Sequence, residues 1–286
     1  PCQEVIGGLN AEAAAELGLP PGIPVIAGGE DTSSAGLALG AVRPGMAFLS
    51  LGTAGTLYAT EPRPRVHPQL LTFAHVLEHQ FLVGGSMGAI GAALAWLRTA
   101  LGDQVDLAAL LDLAAGANPG ADNLIFLPYL NGELQPINDG YARGVFFGLG
   151  MHTGKAELVR AVLEGAAFAI AQNLEYAELL SGHIQEIRAT GGPTRSGLWC
   201  QIIADVCNRP LNVLADEGGA PLGNALLAGS AVGLISDLAA TATAAANVRT
   251  RYVPDAARHE RYGRLFAIYK QLYPNLKDLY VELARA

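Results

Sequence analysis

The stretch 48–58 of the chain combines glycine and threonine, residue types that can hold phosphate groups. Two apolar, strand-like arms flank Gly52-Thr53-Ala54-Gly55, and this pattern predicts a β-hairpin with a glycine-opened tip. Glycine lets backbone N–H groups approach a ligand closely, and Thr53 and Thr56 add hydroxyl donors that suit phosphate oxygens. The stretch is a candidate phosphate cradle, although an ordinary tight hairpin has the same composition.

A carboxylate, Asp31, follows the predicted strand 23–27 and two glycines, Gly28 and Gly29. A helix of small residues comes next, so that Asp31 lies at a strand end where a helix begins. It can be a helix N-cap that accepts backbone N–H bonds. It can also be a general base, because α/β proteins bind ligands at the carboxyl ends of their strands. The two roles are compatible.

A pair of glycines, Gly191 and Gly192, joins the predicted strand 186–190 to the predicted helix 197–207. Bare backbone at such a junction can lie against the base and ribose of a nucleotide, and the helix N-terminus supplies N–H groups. A plain turn between a strand and a helix would look similar.

Two motifs imitate sites of other kinds. The run 84–91 is rich in glycine, but it lacks the G-x-G-x-x-G spacing and the later acidic residue of an NAD site. His75, Glu78 and His79 spell the H-x-x-E-H of one zinc-protease class, yet they abut the predicted strand 80–84 instead of lying on a helix. Neither NAD nor zinc is expected.

The composition indicates a globular protein that binds small ligands. Of the 286 residues 51% are hydrophobic, and the net charge of −8 is spread without long runs, so that nucleic acid and membranes are not expected as partners. Cys2, Cys200 and Cys207 fit no metal spacing and suit a reducing compartment, which favours the cytoplasm. Pro1 in place of Met suggests a fragment or a processed piece.

The order of the predicted elements is that of an α/β protein. A polar loop, 131–140, is interpreted as either a substrate rim or a surface excursion. The predicted strands are 23–27, the two arms of the hairpin, 80–84, 186–190 and 211–214, the last of the chain. The run 123–130 is predicted as a buried strand or an extended segment. The predicted helices are 11–18, the one that ends at Leu101, 153–181, 197–207, the one that ends at Gly233, and 255–286.

Together these segments resemble the C-terminal half of the FGGY carbohydrate kinases, over essentially the whole chain. The most specific part is Gly144-Val-Phe-Phe-Gly148-Leu149, then seven residues, then Glu157-Leu158 and Ala161-Val-Leu-Glu164, which satisfies every position of the family's second signature. The resemblance implies an actin-like (ribonuclease H-like) ATPase fold, a mixed sheet flanked by helices. It also implies that residues 1–42 end the first kinase domain and that residues 43–286 form the nucleotide-binding domain.

The same resemblance implies roles for single residues. Asp31 would be the catalytic base that deprotonates the sugar hydroxyl group. Six positions would bind the nucleotide, of which the first two form the second phosphate loop and the last three lie beside the adenosine: Gly52, Thr53, Gly91, Gly191, Gly192 and Ser196.

The largest departure from the family is an absence. The N-terminal Asp-x-Gly-Thr segment, which forms the first phosphate loop and organises Mg²⁺, does not occur in these 286 residues. Smaller departures are Glu30 and Thr32 beside the base and Pro193-Thr194 in place of Gly-Ala, which bear on substrate identity. Ala95, four residues after Gly91, stands where some relatives have an amide side chain. The implied partners are ATP, Mg²⁺, a sugar and the missing N-terminal domain, and a homodimer is a further option.

The implied activity is transfer of the γ-phosphoryl group of ATP to a hydroxyl group of a pentulose, with D-xylulose first and ribulose, gluconate or glycerol as alternatives. A hypothesis of another class is a non-catalytic nucleotide-binding fragment or module. Because phosphoryl transfer depends on positioning and charge neutralisation, the chain without the first loop is expected to be inactive alone. The full-length parent is the expected enzyme.

Overall fold

The computed structural model describes residues 1–102, 106–215 and 218–286. Its strands are β1 (Val5–Gly8), β2 (Pro24–Ile26), β3 (Met46–Leu51), β4 (Gly55–Glu61), β5 (Leu71–Ala74), β6 (Phe81–Met87), β7 (Ile125–Leu127), β8 (Val145–Phe147), β9 (Glu186–Thr190), β10 (Leu211–Leu214) and β11 (Val248–Tyr252). Its α-helices are α1 (Ala11–Leu17), α2 (Asp31–Ala38), α3 (Gly91–Ala100), α4 (Leu107–Gly116), α5 (Lys155–Ser181), α6 (Gly197–Cys207), α7 (Gly219–Ala231), α8 (Leu238–Ala245) and α9 (Ala256–Leu283).

A seven-stranded mixed sheet, in the order β11-β10-β9-β3-β4-β6-β5, is the framework of the fold. Strands β9 and β10 run parallel to β3, whereas β4 runs antiparallel to both β3 and β6. Consequently β3, β6, β9 and β10 all end at one edge of the sheet, which we call the carboxyl edge. The register places Ser50 beside Thr190 and Gly55 beside Met87. The residues that follow these strands therefore lie near one another.

Helices cover both faces of the sheet, because alternate residues of a strand point to opposite sides. On one face Leu49 and Leu51 belong to a large buried cluster with α5, which is buried nearly all round through its middle turns. On the other face α2 crosses β3, where a Cβ at Gly36 would lie 2.9 Å from the Phe48 ring. Leu37 and Val42 join residues of α7 and α8 in a further cluster there.

The first elements of the chain have little cover. Strands β1 and β2 form a two-stranded antiparallel ribbon whose apolar side chains Val5, Ile6 and Val25 are exposed. Such a ribbon is marginally stable at best in water without further packing. The domain boundary near residue 42 stays a prediction. In the described part of the chain, no helix combines the length and apolarity that a membrane span requires.

Several strand predictions were wrong. Strands β1, β5, β8 and β11 were not predicted, and β10 is followed by β11 instead of being the last strand. Strand β6 extends through Gly84 and Gly85 to Met87, beyond the predicted end at residue 84. These glycines permit close packing: a Cβ at Gly84 would lie 1.9 Å from the Leu57 carbonyl oxygen, and one at Gly85 would lie 2.3 Å from Cβ of Gln135.

Candidate nucleotide and catalytic site

The predicted hairpin is confirmed, and its tip (Gly52–Ala54) lies exposed at the carboxyl edge between β3 and β4. The Gly52 N–H closes the tip by donating to the Ala54 carbonyl at 2.8 Å. The tip carbonyls are held by the start of α3: Ile90 N–H donates to Thr53 O at 3.0 Å and Gly91 N–H to Gly52 O at 2.9 Å. The tip is thus fixed through its carbonyl groups, while the Thr53 side chain is exposed.

Gly91 serves this packing directly. A Cβ at this position would lie 2.5 Å from the Gly52 carbonyl oxygen, so that only glycine lets α3 approach the hairpin tip this closely. Its N–H group is already bonded to that oxygen. The predicted contact between Gly91 and a nucleotide stays a prediction, and any such contact would involve other atoms of the residue.

The two glycines after β9 differ in their surroundings. Gly191 has a φ of +103°, and a Cβ there would lie 1.9 Å from the Leu51 carbonyl oxygen. Gly192 is exposed, and a Cβ there would meet no atom within 4 Å. Gly191 therefore packs the turn against the end of β3, beside the hairpin tip, whereas Gly192 faces open space that a ligand can occupy.

Ser196 caps the N-terminus of α6. Its Oγ accepts a hydrogen bond from the Trp199 N–H at 3.2 Å. A hydroxyl group that accepts one bond can still donate its own hydrogen. The half-buried Ser196 therefore retains a donor for a ligand near the same turn as Gly192.

Glu30, rather than Asp31, is the N-cap of α2. Its backbone is extended, and its carboxylate accepts the N–H groups of Thr32 at 2.9 Å and Ser33 at 2.7 Å. The interpretation of Asp31 as the N-cap is therefore wrong, because the helical backbone begins at Asp31 itself. Glu30 satisfies the free N–H groups of the first turn.

Asp31 is exposed in the first turn of α2, where its Oδ1 accepts the Thr32 N–H at 2.7 Å. A hydrogen bond with the Glu30 carboxyl group, followed by bonds from Thr32, lowers the pKa of Asp31 from its ordinary value. The carboxylate is thus ionised at neutral pH, as a general base must be before it accepts a proton.

The start of α2 is attached to α7 through Asn224. Its Oδ1 accepts the Gly29 N–H at 3.1 Å and the Ser34 hydroxyl at 3.1 Å. No hydrogen bond or ion pair between described residues joins Asp31 to the hairpin tip. The structure therefore brings the hairpin tip, Gly91 and Gly191 into contact, and places Asp31 on a separate helix over the α2 face of the sheet.

Mg²⁺ and ATP are the cofactors that the family resemblance implies. Among the described residues, no three His, Cys, Asp or Glu side chains form a metal cluster. Mg²⁺ in phosphoryl-transfer enzymes is usually held by one or two carboxylates together with substrate phosphates. Asp31 and Thr53 are exposed, and a Cβ at Gly192 would meet no atom within 4 Å. These residues leave room for a nucleotide whose phosphates would carry most of the ion's ligands.

Two side chains of the loop 131–140 were not predicted as part of the site. Glu133 accepts the Gly88 N–H at 2.8 Å, and Gln135 accepts the Ser86 N–H at 2.9 Å. Burial raises the pKa of Glu133 to about 7, although two backbone N–H groups donate to it. Their partners are more than 40 residues away in the chain, so no local sequence signal could have found these contacts.

Comparison with known proteins decides the family. Residues 47–232 match the model of the FGGY family of carbohydrate kinases, C-terminal domain. The chain belongs to this family. The fold of this FGGY domain is accordingly the actin-like ATPase fold, as expected from the sequence, with a mixed sheet between helices.

The relatives of this FGGY domain include kinases for different substrates. A xylulose kinase of Staphylococcus epidermidis is 30% identical over 281 residues, which are 97% of this chain and 56% of the relative. A ligand-bound xylulose kinase structure from Lactobacillus acidophilus has a TM-score of 0.94 at 28% identity, and a gluconate kinase structure from the same species has 0.93 at 29%. Each match covers 99% of this chain, and 58% and 57% of those chains. The chain therefore spans just over half the length of its relatives.

Proposed function

We propose that the chain is the C-terminal part of an ATP-dependent kinase that phosphorylates a hydroxyl group of a pentulose, with D-xylulose as the first candidate. The observation that carries this proposal is the packing of the hairpin tip beside Gly191 at the carboxyl edge, with open space at Gly192. The xylulose kinases among the relatives support xylulose as the substrate. The gluconate kinase among them supports gluconate as the alternative.

In this proposal the adenosine lies against Gly192 and Ser196, and the phosphates extend toward Thr53. Asp31 accepts the proton of the sugar hydroxyl group as its oxygen bonds to the γ-phosphorus; the bond from that phosphorus to the bridging oxygen breaks, and ADP leaves. The Thr53 hydroxyl and nearby N–H groups donate to phosphate oxygens, where they stabilise the negative charge. Mg²⁺, bound mainly by the phosphates, would neutralise part of that charge.

The missing half is part of the proposal. Residues 1–42 would complete a first domain that carries the other phosphate loop, which agrees with the exposed apolar side chains of β1 and β2. Without that domain the cleft cannot close over its ligands, so the 286-residue chain alone would be inactive. The cytoplasmic location and the homodimer expected from the sequence stay predictions.

The test uses the full-length gene product that contains this chain. ADP release is measured with ATP, Mg²⁺ and, in turn, xylulose, ribulose, gluconate and glycerol. We expect the highest kcat/KM with xylulose. A higher value with another of these compounds would reassign the substrate, and no sugar-dependent ADP release from any of them would favour the non-catalytic nucleotide-binding module.

A further inference from the structure

On the side that faces away from β4, the last residues of β6 are paired with side chains instead of with a strand. In the described sheet, pairing with the edge strand β5 ends at Gly84, opposite Leu71. Beyond that point the Ser86 N–H donates to Oε1 of Gln135, and the Gly88 N–H donates to Oε1 of Glu133. The loop 131–140 thus supplies the acceptors that a longer β5 would otherwise provide.

The loop is itself attached to the core of the domain. The Asn173 side chain of α5 donates to the Gln135 carbonyl at 2.7 Å, and Glu133 and Asp139 exchange two backbone hydrogen bonds at 2.9 and 3.0 Å. The Glu133 carboxyl group is therefore held by a fixed backbone. This carboxyl group in turn holds Gly88 through the 2.8 Å hydrogen bond from the Gly88 N–H.

Gly88 is directly linked to the hairpin tip along the chain. It begins the segment 88–92, whose later N–H groups, those of Ile90, Gly91 and Ala92, donate to the Gly52 and Thr53 carbonyls at 2.9–3.0 Å. One end of this short segment is bonded to Glu133 and the other end to the tip. A movement of Gly88 would be transmitted to the tip through backbone groups alone.

Capping the N–H groups of Gly88 and Leu134 does not require a titratable side chain. Gln135 makes the same contact to Ser86 with an uncharged amide, whereas Glu133 keeps a carboxyl group that is 5% exposed. Its second oxygen, Oε2, is buried without a hydrogen-bond partner among the described residues. The titratable groups that face it are the phenols of Tyr129 and Tyr269, with Asp139 on its own loop, and no basic residue lowers its pKa.

We propose that Glu133 is a positioning residue for the phosphate loop, which holds the segment 88–92, and through it the hairpin tip, where the phosphates of ATP bind. This inference rests on the proposed function. An ionised carboxylate accepts a shorter and stronger hydrogen bond than a protonated one. Because burial raises the pKa of Glu133 to about 7, the hydrogen bond to Gly88 changes as the pH rises through neutrality, and the position of the tip changes with it.

The direct test follows the backbone of the chain by NMR. Amide resonances of Gly88 and Thr53 are recorded from pH 5.5 to 8.5 in the wild-type chain, in Glu133→Gln and in Glu61→Gln. Glu61 is the matched control, because it is also buried and its pKa is also raised, but it lies at the opposite end of β4. We expect a common midpoint near 7 for both amides, lost in Glu133→Gln and kept in Glu61→Gln.

A Thr53 resonance without this midpoint, or a midpoint that persists in Glu133→Gln, would overturn the proposal. If Glu133→Gln does not fold, the wild-type titration still tests the proposal, because a Thr53 resonance without the midpoint overturns it. No ATP is needed, so the failure of the proposed function would be recognised separately.

A second readout is the KM for ATP of the full-length gene product at pH 6 and pH 8. The γ-phosphate also titrates near pH 6, so the comparison with Glu133→Gln removes its contribution. We expect the ratio of the two KM values to differ by about fivefold between wild type and Glu133→Gln, the size expected of one charge-assisted hydrogen bond. Equal ratios would contradict the proposed link to ATP.

Discussion

Gly191 and Gly192 directly follow β9, and substitutions at these two positions distinguish an effect on nucleotide binding from an effect on folding. We predict that Gly192→Ala leaves the protein folded and weakens ATP binding, whereas Gly191→Ala destabilises the fold. The reason is geometric: a Cβ at Gly192 meets no protein atom within 4 Å, and a Cβ at Gly191 lies 1.9 Å from the Leu51 carbonyl oxygen.

The expected magnitudes follow from these distances. Gly191 has φ 103° and ψ 171°, a region that is essentially restricted to glycine, so alanine would cost roughly 1–3 kcal/mol in backbone strain alone. The contact at 1.9 Å adds to this cost, because β3 is central and its backbone has little freedom to move. The φ of Gly192 lies outside the left-handed region, so alanine should change stability by about 1 kcal/mol or less.

The assays are chemical unfolding and ATP titration by calorimetry, both on the full-length gene product. For Gly192→Ala we expect wild-type unfolding and a Kd for ATP raised about tenfold, equivalent to about 1.4 kcal/mol, with sugar binding unchanged. Unchanged ATP affinity in a folded Gly192→Ala protein would refute the placement of the adenosine. Equal stability of the two variants would refute the packing argument for Gly191.

Three further predictions concern stability and the isolated chain. Arg160→Met should lower the free energy of unfolding by about 3–5 kcal/mol, because it leaves the buried Glu164 without its 2.8 Å partner. Arg264→Met, in an exposed pair, should lower it by under about 1 kcal/mol. Equal unfolding free energies of the two variants would contradict this. The pKa of Glu133 is raised from 4.5 to about 7, so its stabilising contribution is fully present below pH 4.5 and is lost as the pH rises through 7. The unfolding free energies of the wild type and Glu133→Gln should therefore differ by an amount that changes by roughly 2–3 kcal/mol between pH 5 and pH 8. A constant difference would be inconsistent with the raised pKa. The isolated chain should bind ATP no more tightly than about 1 mM in calorimetry, and sugar-dependent ADP release from it would contradict the need for a second domain.

Elements with strong local patterns could be predicted from the sequence. Strands β9 and β10 and helix α6 have the predicted bounds, because Gly191 follows β9, Pro210 precedes β10 and Ser196 caps the helix. The long helix α5 was predicted from its apolar spacing, and starts two residues later than expected. The hairpin was predicted because glycines interrupt two β-prone arms.

Elements that depend on distant partners could not be predicted. Strands β1 and β5 have four residues each and β8 has three, and none of them follows a proline, as the equally short β10 does. Without such a boundary, so few residues show no recognisable period. In the site, the sequence does not distinguish Glu133 from the other polar residues of its loop, because the fold alone places Gly88 beside it. The choice of Glu30 over Asp31 as the cap likewise depends on where the helical backbone begins, and adjacent carboxylates in the sequence cannot decide it.

The central claim, phosphoryl transfer to a sugar with Asp31 as the base, is tested most directly by kcat of Asp31→Asn in the full-length gene product. Folding and ATP affinity serve as controls. Because Asp31 is exposed and Glu30 caps α2, both should remain those of the wild type. A general base contributes roughly 10²- to 10⁴-fold, and we expect kcat to fall by at least about 100-fold. Turnover within a few-fold of the wild type would remove Asp31 from this role.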